Sequence, residues 1–305
     1  MSFIKNCGIM VEPQEGIEFK DLMTLAKMTE DRGFGYFLRS DHLTTHQTDL
    51  FPECWSSLGA IAALTKTIKF GPLVSPIGFR NPALLARMAC TVDSISSGRL
   101  QLGLGAGHVE DEYLAHGFEF PSLRVRKKQF SEALQIIRPL TQTGRVDFDG
   151  DHFSAHLDGI PGFSRKIRMV IGGKSRFIVQ RVLEFADEWN CSLPLPMEFE
   201  LLRNLVTASH RRIEVSQMAG FVTAEDSAAF RASIRRLMRK RGVAKEEEVF
   251  IREMRERGWF MGTPDEIAPE INRARERGIE KIYFQMWQTA DKEPIRIISE
   301  VLRGL

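Results

Sequence analysis

The sequence predicts an α/β chain folded as a parallel (β/α)8 barrel of the TIM-barrel class, and three of its features carry that prediction. First, short apolar runs alternate along the chain with longer segments whose apolar residues recur at three- and four-residue spacing. Second, residues 68–107 spell out one full unit of that alternation. Ile68 to Val74 is a short apolar run, Ser75-Pro76-Ile77-Gly78 a bend, and Asn81-Pro82 a helix start, with Leu84, Leu85, Met88, Val92 and Ile95 on one helical face. Ser96-Ser97-Gly98 stops the helix, and Leu100, Leu102 and Leu104 alternate along the next strand; parallel strands need such a crossover. Third, Gly103, Gly105 and Gly107 close that strand. At the C-terminal end of a parallel strand, glycines either let backbone approach a ligand or relieve crowding inside a barrel.

The remaining elements follow in order. Asn6 to Val11 reads as the first strand, a helix spans about residues 18–32 and stops at Gly33, and Tyr36 to Arg39 is the second strand. A helix over residues 52–65 leads into the unit above. After Gly107 come the acidic run Glu110-Asp111-Glu112 and a long helix over residues 123–140. Val146 to Phe153 reads as a hairpin with Asp149-Gly150 as a two-residue turn, an insertion at the N-terminal end of the barrel in which His152 and His156 are scaffold. Arg168 to Ile171 is the fifth strand and Asp187 to Cys191 a short sixth. A helix over residues 198–216 has Leu201, Leu202, Leu205 and Val206 inward. Met218 to Val222 is the seventh strand, followed by a helix over 226–240, an exposed charged helix over 245–257 and a helix over 264–277. Lys281 to Met286 is the eighth strand, and a helix from Pro294 closes the chain.

With 305 residues, 43% hydrophobic, and no linker or repeat, the expectation is one domain over residues 1–305. A net charge of +2 gives no reason to expect nucleic acid or an anionic membrane as partner. The chain shows neither a membrane-length apolar run nor a signal-peptide core at its start, and Cys7, Cys54, Cys90 and Cys191 lack metal spacing. The expectation is a cytoplasmic protein with reduced, buried thiols.

Residues just after each barrel strand share one mouth: Glu12, Ser40, Asp41, His42, His108, Glu110, Gly172, Gly173, Ser175, Asn190 and Gln285. Asp41-His42 is either a proton-transfer pair or a loop-anchoring hydrogen bond. Gly172-Gly173-Lys174-Ser175 opens a helix, and either holds a phosphate on the free N–H groups or is an ordinary serine-capped turn. His42, His46 and His108 lack the pairing of a metal motif, so no metal is expected. The basic run Arg235 to Arg241 reads as a solvated helix face from which an anionic substrate group could recruit a few cations.

Over essentially its whole length the chain resembles the bacterial luciferase-like flavin and deazaflavin oxidoreductases. The matching residues are Ser40-Asp41-His42-Leu43, Phe79-Arg80-Asn81-Pro82-Ala83, Ile95 to Leu100, Leu102 to Gly107, Phe148 to Phe153, Gly172-Gly173 and Gly262-Thr263-Pro264-Asp265-Glu266. The resemblance implies a (β/α)8 barrel with the phosphate of a flavin or deazaflavin at Gly172, Gly173, Lys174 and Ser175. The ring would lie over Pro72, Leu73 and Val74, beside Gly105 and Gly107. The Ser-Asp-His match is similar to the branch that uses coenzyme F420, where the counterpart of Asp41 contacts the ring and that of His42 assists catalysis. Two departures from the deazaflavin sugar-phosphate dehydrogenases are His46 in place of a tryptophan and His108 in place of a glutamate, with Glu110 close by.

The expected function is hydride transfer between coenzyme F420 and a small organic substrate, with His42 as first and His108 as second choice of acid–base group. The alternatives are an FMN-dependent monooxygenase on the same barrel and a non-catalytic flavin-binding protein. The resemblance also implies a bulge at Pro72-Leu73-Val74 with a cis peptide between Pro72 and Leu73. It further implies a homodimer through the helices of residues 55–64 and 83–92, whose Ala62, Ala63, Ala86 and Ala89 exceed what one buried face requires.

Overall fold

Strand β1 (Cys7–Val11) is buried at every position, as expected of a barrel strand with side chains on one face and helices on the other. The structure, a computed structural model, describes residues 2–44, 51–160, 163, 165–192, 196–287 and 291–305; His46 lies outside them. After β1 come α1 (Phe19–Asp31), β2 (Tyr36–Arg39), α2 (Cys54–Leu64), β3 (Lys69–Pro72), β4 (Ser75–Pro76), α3 (Pro82–Ile95) and β5 (Gln101–Gly105). Next are α4 (Glu110–Ala115), α5 (Leu123–Thr143), the hairpin β6 (Val146–Asp149) and β7 (Ser154–Leu157), β8 (Arg168–Gly172), α6 (Arg176–Phe185), β9 (Glu188–Cys191) and α7 (Pro196–Thr207). The chain ends with β10 (Glu214–Thr223), α8 (Ser227–Lys240), α9 (Glu247–Glu256), β11 (Phe260–Gly262), α10 (Pro264–Glu276), β12 (Lys281–Met286) and α11 (Glu293–Gly304).

The sheet runs β3-β2-β1-β12-β10-β9-β8-β5-β4, all parallel. Segments β3 and β4 are two pieces of the third strand, and a parallel bridge between Phe70 and Leu100 joins β3 to β5. The expected eight-stranded barrel is therefore present. Between β3 and β4 the chain bulges, with its cis peptide at Leu73–Val74, one residue later than the resemblance implies.

Most of the core lies between strands and helices, while Met10, Tyr36, Leu38, Leu73, Val170 and Tyr283 fill the barrel lumen. Several expectations are corrected. The helix expected over 198–216 ends at Thr207, and the seventh strand starts at Glu214. Leu201 and Leu205 face outward while Leu202 and Val206 are buried, since neighbouring residues on a helix point about 100° apart. Leu84 and Ile95 of α3 are exposed for the same reason. The hairpin forms, but Asp149 pairs with Ser154, so its loop is 150–153 rather than Asp-Gly. Helix α9 is not simply exposed: Phe250, Ile251 and Met254 pack on Phe230, Ile234, Leu237 and Met238 of α8. The run Arg235 to Arg241 is largely paired, with Arg235 on Glu247 and Arg236 on Asp291.

Candidate active site

The strand ends converge on a cavity of about 370 Å³ at the C-terminal mouth. Glu12, Ser40, Asp41, His42, His108, Gly172, Gly173, Asn190 and Gln285, all expected at the mouth, line it together with Met10, Leu73, Val74, Gly107, Glu112, Tyr113 and Met218. Other expected residues stand elsewhere. Glu110 is exposed on the outer side of α4, and Lys174 and Ser175 lie at the exposed rim. Pro72 and Gly105 sit within the wall.

The glycines of β5 divide by position. A Cβ on Gly103 would lie 2.1 Å from the Pro72 carbonyl oxygen, and one on Gly105 2.5 Å from Val74 Cγ2. Both admit the bulged third strand, as the crowding alternative requires. Gly107 has φ of +77°, and a Cβ there would collide with the Tyr113 hydroxyl.

Asp41 is fully buried and held from outside the cavity. Its Oδ2 accepts from Ser75 Oγ at 2.6 Å and Arg80 Nη1 at 2.7 Å, and its Oδ1 from Arg80 Nη2 at 3.2 Å. This bidentate pair fixes the carboxylate geometrically. Arg80 in turn binds Glu53, and Trp55 Nε1 donates to Ser75. Beside it, Gln285 Nε2 and Gln14 Nε2 donate to the two oxygens of buried Glu12 at 2.5 and 2.7 Å.

The carboxylate that partners His42 is Glu112. Its Oε2 lies 3.0 Å from His42 Nδ1, while Oε1 accepts from the N–H groups of Leu43 and Thr44. Burial alone would lower the His42 pKa, but the hydrogen bond and charge of Glu112, with Glu12 and Asp41 behind it, hold it above the ordinary histidine value. Burial would raise Glu112, and the His42 and backbone contacts overcome this and lower it. His108 faces His42 edge-on, ring centroids 6.4 Å apart. Desolvation of its ring and the charge of His42 push His108 below its ordinary value. One imidazole is thus biased toward the cation and its neighbour toward the neutral form, a division suited to proton exchange with a substrate.

At the rim, Ser175 caps α6, its Oγ accepting from Ile178 N–H at 3.3 Å, and Lys174 and Arg176 are exposed around the helix start. Among the described residues no His, Cys, Asp and Glu group could hold a metal ion, and no helix is long and apolar enough to cross a membrane.

Sequence reasoning missed Glu112, Tyr113 and the Arg80–Asp41 pair. Glu112 is the third residue of an acidic run whose other members face solvent, and three acids also suit the first turn of any helix. The adjacent Tyr113, large and aromatic, was the available sign that this turn packs inward.

The sequence profile described as luciferase-like monooxygenase matches residues 2–281. The chain belongs to the luciferase-like monooxygenase family. Within curated relatives of this luciferase-like chain, a 5,10-methylenetetrahydromethanopterin reductase of Archaeoglobus fulgidus is 33% identical over 196 residues, covering 63% of this chain and 55% of the relative. An F420-dependent glucose-6-phosphate dehydrogenase of Amycolatopsis mediterranei is 31% identical over 137 residues, covering 44% and 41%. The chain thus spans about half the length of the curated relatives it matches. Among solved structures, an F420-dependent secondary alcohol dehydrogenase in complex with an F420-acetone adduct superposes with a TM-score of 0.80 at 19% identity over 97% of both chains. The monooxygenase RslO1 of Streptomyces bottropensis gives 0.81 at 20% identity over 98% of this chain and 99% of its own. These two likenesses show the barrel fold.

Proposed function

We propose that this protein is an oxidoreductase that moves a hydride between coenzyme F420 and a small organic substrate. The observation that carries the reading is the cavity at the barrel mouth into which the strand ends bring His42, held by Glu112, and Asp41, held by Arg80. The names of the curated relatives support the choice of F420.

The residues present fit such a group. Met10, Leu73, Val74 and Met218 offer apolar walls for a planar ring, and Gly172-Gly173 with the α6 N-terminus, Lys174 and Arg176 offer donors and positive charge for a phosphate. When bound, the deazaflavin supplies the carbon that accepts or gives the hydride. The protein orients the substrate against the wall and handles the proton. When a carbonyl is reduced, His42 donates a proton to the developing alkoxide; in the reverse direction it takes the hydroxyl proton as the C–H electron pair leaves. His108 stands by as the neutral second group. A raised His42 pKa extends the acid form to higher pH than in a free imidazole, so reduction is favoured below that pKa and oxidation above it.

The test is turnover: purified protein with F420 is offered a panel of alcohols, aldehydes and unsaturated substrates while the deazaflavin absorbance is followed. Bleaching or recovery with one class supports the reading. Oxygen consumption with reduced FMN alone would favour the monooxygenase alternative, and activity with any redox couple excludes a silent flavin-binding protein.

A homodimer belongs to the same reading. Ala62, Ala86 and Ala89 are spent in the chain's own core, but Leu64 of α2 and Leu84 and Ile95 of α3 remain exposed on neighbouring helices and offer an apolar contact. Sedimentation at micromolar concentration should give a dimer.

A further inference from the structure

We propose that Glu112 is the positioning residue of this site: by binding His42 Nδ1 and the backbone of Leu43 and Thr44 at once, it fixes which imidazole nitrogen meets the substrate. That a substrate meets this nitrogen rests on the function proposed above; the arrangement of Glu112 and His42 does not.

Three donors meet one buried carboxylate. Oε1 is filled by the two successive N–H groups of Leu43 and Thr44, so Oε2 is the oxygen left for His42 Nδ1. A buried carboxylate without a countercharge is costly, and the imidazole is the cationic side chain bonded to it. The other charged groups that bear on His42 are Glu12 after β1 and Asp41 on its own loop, and the neighbouring imidazole of His108 faces it after β5. Arg126 of α5 acts on His108. Asp41 is fully engaged by Ser75 and Arg80 and makes no bond to the imidazole. With Nδ1 committed to Glu112, the neutral ring carries its proton on Nδ1 and presents the Nε2 lone pair to the cavity that it lines; the charged ring presents Nε2–H.

A glutamine at position 112 gives a sharp contrast. Its single carbonyl oxygen must accept from Leu43 and Thr44, because an amide NH2 facing those two N–H groups would set donor against donor. The NH2 group then faces His42 Nδ1 and requires it to be an acceptor. The proton of the neutral ring moves to Nε2, and the base that the substrate would meet is gone.

The experiment is a histidine-ring NMR titration of the cofactor-free protein, with His42 identified by the signal lost in His42→Asn. Wild type should show the Nδ1–H tautomer at high pH. Glu112→Gln should show the Nε2–H tautomer and a lower titration midpoint, and the F420-linked turnover should fall on the order of 10²-fold or more with little change in KM. An Nε2–H tautomer in wild type overturns the proposal even if the variant does not fold; so does a folded Glu112→Gln with unchanged tautomer and midpoint. If the tautomers behave as stated and no F420 turnover is found, the positioning role stands and the proposed function falls.

Discussion

Two buried clusters of charge sit at opposite ends of the barrel. At the N-terminal end, Lys281 Nζ lies 2.5 Å from Glu188 Oε2 and 2.8 Å from Glu214 Oε2, and Tyr283 donates to Glu188 Oε1 at 2.6 Å. Arg168 closes the network on Glu214. Burial would lower the Lys281 pKa, but Glu188 and its neighbours raise it well above the ordinary value. Lys281 and Glu188 side chains are 4% and 0% exposed, and the outer members Glu214 and Arg168, 28% and 40% exposed, are paired with each other, so the charge of this network is spent within the protein. At the mouth Glu112 is equally buried, but its partner His42 keeps 27% of its side chain open. A network whose charges are all paired within the protein stabilises; one whose imidazole opens onto a cavity can exchange protons with a ligand.

Replacing the open end should separate chemistry from stability. His42→Ala should lower turnover by about two to four powers of ten with cofactor affinity close to wild type, and should lower the melting temperature less than a break in the other network, because Glu112 keeps the Leu43 and Thr44 N–H donors. If it is as active as the parent, the proton role passes to His108. Replacing a member of the closed network should do the converse. Lys281→Met strands Glu188 in the lumen and should cost about 3–5 kcal/mol in denaturant unfolding, while the folded fraction turns over normally. Loss of turnover without loss of stability would erase the distinction.

Glu30 provides a smaller control, because it uses the same device as Glu112 without a histidine in the partnership. One oxygen accepts from the N–H groups of Lys66, Thr67 and Ile68 after α2. Burial would raise its pKa, but those bonds and Lys27 bring it down to about 2. A lowered folded value means that its stabilisation is present above the unfolded value of about 4.5 and is lost as pH falls toward 2. Glu30→Gln should therefore cost about 1–2 kcal/mol near neutral pH and flatten the acid limb of the stability curve, with no effect on turnover.

The barrel was legible because its signals are periodic and local. Each strand-and-helix alternation announces itself, and topology then carries residues such as Glu12, Asp41, Asn190 and Gln285, far apart in sequence, to one mouth. The orientation of side chains within that mouth was not legible. Asp41 and His42 are adjacent in sequence, yet one turns to Arg80 and the other to Glu112, choices made by elements 39 and 70 residues away. The three-residue β11 and the short α4 escaped because neither is long enough to show a period.

The most direct measurement of the central claim is an equilibrium titration of the cofactor-free protein with F420 and, in parallel, with FMN, repeated on Gly172→Asp. A side chain at Gly172 would start 3.0 Å from Val74 Cγ1 and place a carboxylate where the phosphate is proposed to lie. F420 should bind more tightly than FMN to wild type, and its affinity should fall about tenfold or more in the variant. Tight FMN binding with no F420 binding would contradict the choice of F420.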